Sequence, residues 1–300
     1  MSEVQRRHFL AAAGSAAAAS LLGSASVSRN TQDAAASTPL RPFRTRFAVN
    51  TEIWWGSLPF MERVRRTHAA GFPAIEFWPW KGKPLDELGD FCTTSGLEVA
   101  QFTAWGFSPG MNEPTQHDTF VKAIEDALAV AQKLKCRKMT VVAGNDIKGR
   151  TPREMHDACI VALKRAAPLA ESAKVMLILE PMNIRQDHKG HCLYGSPDAL
   201  RICREVASPM VKINWDFYHM QISEGDLCRR LKEGFDQFGY GQVADNPGRN
   251  EPGTGEVQFG RVFRALDELG YHDYVGLECW PKDGEDKAIE RLRAADQWDA

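Results

Sequence analysis

From Arg46 onward the sequence repeats one unit: a short apolar run rich in Val, Ile and Phe, then a longer segment with apolar residues at helical spacing. Eight such runs occur in order: "RFAVNTEI", "AIEFWP", "EVAQFTAW", "KMTVVAG", "VMLILEPMN", "VKINWDFYH", "GYGQVADNP" and "YVGLECWP". The spacing between them predicts helices over 58–70, 115–134, 152–172, 197–206, 225–235 and 259–269. "TPREM" and "SPDAL" supply Ser or Thr followed by Pro, an N-cap and first-turn pair. Gly71 and Gly270 stand where a helix should stop before the next strand. Alternation without a linker fits a single α/β domain, a (β/α)8 TIM barrel over 46–300, better than an open doubly wound sheet. The first strand also lacks the glycine-rich turn that a dinucleotide fold needs. With 43% hydrophobic and 25% charged residues, the chain can bury a core of that size.

The N-terminus reads differently. "QRRHFLAAAGSAAAASLLGSASVS" has Arg6–Arg7, then Phe9–Leu10, then an Ala/Leu run free of charge until Arg29. This is the layout of a twin-arginine export signal, so residues 1–28 are expected to direct export to the periplasm or another extracytoplasmic space, with 29–45 as a flexible lead-in. The run is too short and Ala-rich for a membrane span, so no membrane association is expected after processing. Net charge of −2 gives no basic footprint for nucleic acid. Seven scattered cysteines without a C-x-x-C pair indicate neither a disulfide framework nor a zinc ribbon. A homo-oligomer is compatible with all of this.

In a barrel of this kind the chemistry gathers at the C-terminal ends of the strands. Four consecutive strand ends carry Glu180, Asp216, Gln242 and Glu278. Singly, each carboxylate reads as a salt-bridged or capping residue. Together, three converging acids in an apolar setting require a cation or a partner. Three carboxylates and one amide oxygen make an all-oxygen set, which favours Mg2+ or Mn2+ over Zn2+. Glu76 ends the second strand and is read either as substrate-facing or as a buried hydrogen-bonded acid. Trp54, Trp55, Trp78, Trp80 and Trp105 lie near strand ends, as pocket walls or as barrel packing.

The stretches "EPMN", "WDFYHMQISEGDL", "QVADNPGRNEPGTGEV" and "YVGLECWP" resemble the hydroxypyruvate isomerase family of xylose isomerase-like barrels, as does "LPFMERVRRTHAAGFPAIEFWPW". The similarity spans about 46–282. It implies Glu180, Asp216, Gln242 and Glu278 as metal ligands, Glu180 and Glu278 as the acid/base pair, and His219 and Arg249 facing the substrate. Arg249 would clamp a substrate carboxylate or hydroxyl, its loop stiffened by Pro247, Gly248, Pro252 and Gly253. The implied reaction interconverts a hydroxy-ketone and a hydroxy-aldehyde, of the hydroxypyruvate/tartronate semialdehyde type, by enediolate proton transfer. The substrate would be a small keto acid or sugar. The loops "FTAWGFSPGMN" and "NIRQDHKGHCL" depart from the family pattern, which leaves open a ketose 3-epimerase, a keto-sugar lyase or a non-catalytic sugar-binding protein. A trinuclear-zinc endonuclease would want many strand-end histidines, and only His219 has such a place.

Overall fold

A computed structural model describes residues 42–298. The expected export signal, residues 1–28, and positions 29–41 of the lead-in lie outside the described residues. Eight parallel strands close into a barrel in sequence order: β1 (Phe47–Asn50), β2 (Ala74–Phe77), β3 (Glu98–Trp105), β4 (Lys138–Val142), β5 (Met176–Glu180), β6 (Val211–Asp216), β7 (Phe238–Gln242) and β8 (Val275–Leu277). Closure is by β8 on β1, with Val49 opposite Leu277. Around it run α1 (Phe60–Ala69), α2 (Leu85–Ser95), α3 (His117–Lys133), α4 (Pro152–Ala173), α5 (Ser196–Val206), α6 (Phe217–Ser223), α7 (Leu227–Gly234), α8 (Phe259–Glu268) and α9 (Glu285–Ala295).

The helices dock through apolar stripes. Helix α8 buries Phe259, Val262, Phe263 and Leu266, at the spacing that puts one face of a helix on the barrel. Each such side chain contributes about 1.5–3 kcal/mol of burial. Helix α4 starts as its sequence dictates: Thr151 Oγ1 accepts from Glu154 N, the Glu154 carboxylate accepts in return from Thr151 N, and Pro152 takes the first turn. Helix α5 differs from expectation. It already includes Ser196, and Gly195 stands at the N-cap without a side-chain bond. Gly71 and Gly270 both adopt positive φ (83°) after α1 and α8, the left-handed stop that glycine permits.

Inside the barrel, Ala48, Ala74, Ala100, Ile178 and Tyr240 form a compact apolar plug. Above it is a polar layer: Asn50, Glu76, Gln101, Thr140, Asn214 and Gln242, all buried. Glu76 of β2 accepts from Tyr240 Oη (2.9 Å) and Gln242 Nε2 (2.9 Å) of β7. These strands are not neighbours, so both bonds cross the barrel interior. The absence of a side chain at Gly276 of β8 makes room for them, because a Cβ there would lie 2.3 Å from Glu76 Oε2.

Candidate active site

Strand β6 stops at Asp216 because α6 begins at the next residue. The sequence run "VKINWDFYH", expected as one strand, is thus a strand and a helical turn. Asp216 Oδ1 accepts from Tyr218 N (2.8 Å) and caps α6. One helical turn later, His219 returns to the same carboxylate. Its Nε2 lies 3.4 Å from Asp216 Oδ2 and 3.8 Å from Glu180 Oε1. Glu180 closes β5, and Glu278 follows β8 directly, where Trp78 Nε1 donates to its Oε1 at 2.7 Å. One ligand-type atom from each of Glu180, Asp216, His219 and Glu278 lies within 4.8 Å of all the others. All four side chains are buried.

Asn183 fixes the tautomer of His219. The Asn183 carbonyl accepts backbone N–H bonds from Gln186 and Asp187, so its amide nitrogen is the group that faces Asp187 Oδ2 and His219 Nδ1, each at 2.8 Å. An amide nitrogen only donates, so Nδ1 accepts and the ring proton sits on Nε2. His219 therefore presents a hydrogen-bond donor to the carboxylates, not a lone pair. Burial, and then the nearby Arg249 charge, hold it neutral by driving its pKa well below the usual histidine range.

Arg249 supplies the positive charge at the cluster. Its Nη2 lies 2.9 Å from Glu278 Oε2, 3.5 Å from Asp216 Oδ2 and 3.4 Å from His219 Nε2. The guanidinium sits 4.9 Å from the Tyr218 ring centroid and 5.5 Å from that of Trp280. Although burial works against its charge, Glu278 and Asp216 hold its pKa above the ordinary arginine value. The acids feel the reverse. Burial first, then repulsion from Glu278 and Asp216, raises the Glu180 carboxyl well above the usual range. Burial also raises Asp216, opposed by Arg249 and reinforced by Glu278.

Two expected site residues are bonded into the polar layer of the barrel. Gln242 pairs with Asp216 across β6 and β7, but its amide is engaged in the barrel layer: Nε2 donates to Glu76 Oε1, and Oε1 accepts from Asn214 Nδ2 at 2.5 Å. A carbonyl oxygen with one donor keeps a second lone pair. Of the two readings of Glu76, the geometry matches the buried hydrogen-bonded acid rather than the substrate-facing one. Asn50, Gln101, Tyr240 and Gln242 all donate to it, and it does not line the cavity. Burial, with Glu278 second, pushes its pKa up to about 7. Of the five tryptophans named from the sequence, only Trp78 lines the cavity; Trp54 and Trp105 belong to the core. Trp280, which the strand-end pattern does not single out, lines it too.

The cavity above the cluster has a volume of about 460 Å3, with Glu180, Glu278, His219 and Arg249 on its floor and Trp78, Phe107 and Trp280 in its walls. Arg249 is delivered by the 243–257 loop, whose order comes from a buried carboxylate. Asp245 accepts five backbone N–H bonds, from Asn246 and Val257 on Oδ1 and from Gly253, Thr254 and Gly255 on Oδ2, all at 2.8–3.0 Å. Glu251, also buried, accepts from Arg291 Nη1 (2.6 Å) and Lys282 N (2.9 Å). Acids, rather than the prolines alone, give the loop its shape. In sequence, Glu251 looks like any surface acid, whereas Asp245 and Asn183 are discoverable from their places three residues after Gln242 and Glu180.

The donor chemistry fits a hard divalent cation. Three buried carboxylates face one guanidinium, which leaves an excess of negative charge that desolvation makes costly. Oxygen donors of this kind suit Mg2+ or Mn2+.

Comparison with known proteins gives a consistent picture. The family model described as "Xylose isomerase-like TIM barrel" matches residues 64–297. Hydroxypyruvate isomerase of Escherichia coli is 28% identical over 243 residues, 79% of this chain and 94% of the relative. The 2-oxo-tetronate isomerase of Cupriavidus necator is 30% identical over 255 residues, 83% of this chain and 97% of the relative. Among solved structures, a family 2 AP endonuclease from Brucella melitensis superposes with a TM-score of 0.77 at 26% identity, covering 82% of this chain and 96% of that one.

Proposed function

The chain belongs to the xylose isomerase-like TIM-barrel family, and from that premise we propose that it is an isomerase that moves a proton between neighbouring carbons of an α-hydroxy carbonyl substrate, with Glu180 and Glu278 as the proton-transfer pair. Where one of those carbons is terminal, the reaction interconverts a hydroxy-ketone and a hydroxy-aldehyde; in support, the relatives are named as isomerases of hydroxypyruvate and of 2-oxo-tetronate. The observation that carries the reading is the arrival of two glutamates, from β5 and from the end of β8, on the floor of one cavity. A pure binder needs no such pair.

Each group has a role its chemistry supports. One glutamate takes the proton α to the carbonyl and the other returns a proton to the neighbouring carbon. His219, with its proton on Nε2, donates to a substrate oxygen and stabilises the negative charge that develops there. Arg249 holds Glu278 and Asp216 in place and offsets part of their negative charge. Trp78 fixes the Glu278 carboxylate through its indole N–H. Phe107 and Trp280 border the cavity and limit the approach of water. One Mg2+ or Mn2+, held by Glu180, Asp216 and Glu278 with the remaining lone pair of Gln242, would act as a Lewis acid on the substrate oxygens. Export by the twin-arginine route is part of the same proposal and places the reaction outside the cytoplasm.

The test is proton NMR in D2O with chelator-treated protein, to which Mg2+, Mn2+ or Zn2+ is added back. Deuterium should enter the α-carbon of hydroxypyruvate or a ketose only with metal present. If no α-hydroxy carbonyl compound exchanges with any of the three ions, the proposal is wrong.

A further inference from the structure

Two cavities adjoin at the C-terminal mouth of the barrel. The inner one is the 460 Å3 cavity above the carboxylates. The outer one, about 680 Å3, is bordered by Tyr218, Gln221, Asn246 and Glu256. Arg249 and Trp280 line both and so form their common wall. The inner volume alone lies within the range of roughly 300–1,000 Å3 that encloses a drug-sized ligand. A short keto acid would leave most of it unfilled.

Charge points the same way. Among the described residues, Arg249 is the only lysine or arginine lining the inner cavity, and Glu278 already holds it at 2.9 Å. A substrate carboxylate entering there would meet two glutamates and no uncommitted side-chain cation; with three carboxylates, one guanidinium and the proposed divalent ion the cluster is already neutral, so a further carboxylate would add unbalanced buried charge. The outer cavity is balanced as well: Arg185 and Arg249 stand against Asp187 and Glu256. What the walls do offer is aromatic surface, from Trp78, Phe107 and the 45%-exposed Trp280. Next to it lies a hydrogen-bonded polar set. Glu256 Oε1 accepts from Gln221 Nε2 (3.1 Å) and Asn246 Nδ2 (2.7 Å), which leaves both amide oxygens and the second carboxylate oxygen available to hydroxyl donors. Aromatic faces beside such acceptors match the alternating C–H and O–H surfaces of an uncharged sugar.

We propose that the substrate is an uncharged keto-glycoside, with its α-hydroxy ketone ring in the inner cavity and its substituent in the outer cavity against Trp280 and the Gln221–Glu256–Asn246 set. This rests on the proton-transfer reading above and adds the class of molecule on which it acts. The step is balanced without an oxidant. The C–H bond next to the ketone breaks, a C–H bond forms at the former carbonyl carbon, and the hydroxyl proton passes to the neighbouring oxygen. Because both carbons lie in the ring, the product is the adjacent ring ketone.

The experiment uses the metal-supplied protein with methyl and phenyl 3-keto-β-D-glucoside, D-fructose and hydroxypyruvate as probes. Proton exchange in D2O gives kcat/KM, and calorimetry measures binding of unreactive phenyl β-D-glucoside. The keto-glucosides should exceed both other probes at least tenfold, with phenyl above methyl. Trp280→Ala should narrow the ratio of phenyl keto-glucoside to fructose by up to about tenfold, the scale of an aromatic contact. Gln221→Ala, an exposed-side change on α6 that leaves the core intact, should narrow it less. Hydroxypyruvate turned over faster than the keto-glucosides would overturn this inference and leave the proton-transfer reading standing. Binding of phenyl glucoside without exchange on any probe would overturn the proton-transfer reading and support the ligand class. Neither exchange nor binding would overturn both.

Discussion

Replacing Asp245 by Asn keeps the shape of the side chain and removes its charge, which isolates the role of this one carboxylate. Oδ1 accepts two backbone N–H groups and Oδ2 accepts three. An amide has one accepting end and one donating end. Turned the better way, the substituted amide would still satisfy the N–H groups of Gly253, Thr254 and Gly255 while presenting its own N–H to those of Asn246 and Val257. Two charge-assisted bonds are then lost, at about 1.5–3 kcal/mol each, or roughly 3–6 kcal/mol together. For a domain of this size 1 kcal/mol moves the melting temperature by about 2–4 °C, so a fall of roughly 6 °C or more is expected if the loop melts with the barrel. If the loop opens on its own, the loss appears instead as rapid proteolytic cutting between 246 and 257 and as a fall in kcat, because Arg249 is carried on that loop. A thermal melt, a timed protease digest and the D2O exchange assay distinguish these cases. An Asp245→Asn protein with unchanged melting, protease resistance and turnover would refute the argument that this carboxylate organises the loop.

Three further outcomes follow from particular contacts. Glu180→Gln should lower kcat by about 10²–10⁴, the usual contribution of a positioned acid or base. In chelator it should melt no lower than the parent, since it removes one of three mutually repelling acids; a variant with parental turnover contradicts the assigned role. His191 is buried with neither ring nitrogen bonded, and burial, with His188 and His156 next, lowers its pKa to about 3. Unfolded chains protonate histidine near pH 6.5, so the unfolded state binds the extra proton below that pH and stability falls as the solution is acidified. His191→Phe should therefore lose less melting temperature than the parent between pH 7 and pH 5; parallel curves would show that His191 is not responsible. Gly276→Ala would place its Cβ 2.3 Å from Glu76 Oε2 and 2.7 Å from Glu76 Cδ, against a carboxylate pinned by four donors. Overpacking of this kind costs about 1–3 kcal/mol, and a Gly276→Ala protein as stable as the parent in a thermal melt would show that the polar layer can give way.

Strands and strand ends were legible because a barrel strand is a contiguous apolar run, and its last residue is defined by where the run stops. That is why β3 was placed to the residue, and why Glu180, Asp216 and Glu278 could be nominated from position alone. Helices with weak faces were not legible: α2 buries only Leu88, and α6 begins one residue after β6 with no loop to announce it. The orientation of a strand-end side chain was also out of reach. Gln242 and Glu76 occupy the strand ends that the sequence assigns to the mouth, yet both bond within the barrel. Their direction depends on Asn50, Gln101 and Asn214 on the adjacent strands and on Tyr240 across the barrel, neighbours that only the closed sheet brings together.

That polar layer and the 243–257 loop solve one electrostatic problem from two sides. Acids gathered at a barrel mouth repel one another and resist burial, so something below must keep Glu76 and Gln242 satisfied and something above must bring positive charge to Glu278 and Asp216. Below, four neutral donors do the first without adding charge. Above, Arg249 does the second from a backbone at φ 54°, a left-handed conformation that costs a non-glycine residue roughly 1–2 kcal/mol. The five N–H bonds at Asp245 exceed that cost, and the Tyr218 and Trp280 rings, with centroids 4.9 and 5.5 Å from the guanidinium carbon, pack against it beside the acids. The rigid, charged loop is therefore the support for one cation, and its own buried acids are what allow it to hold that cation where the strands have placed theirs.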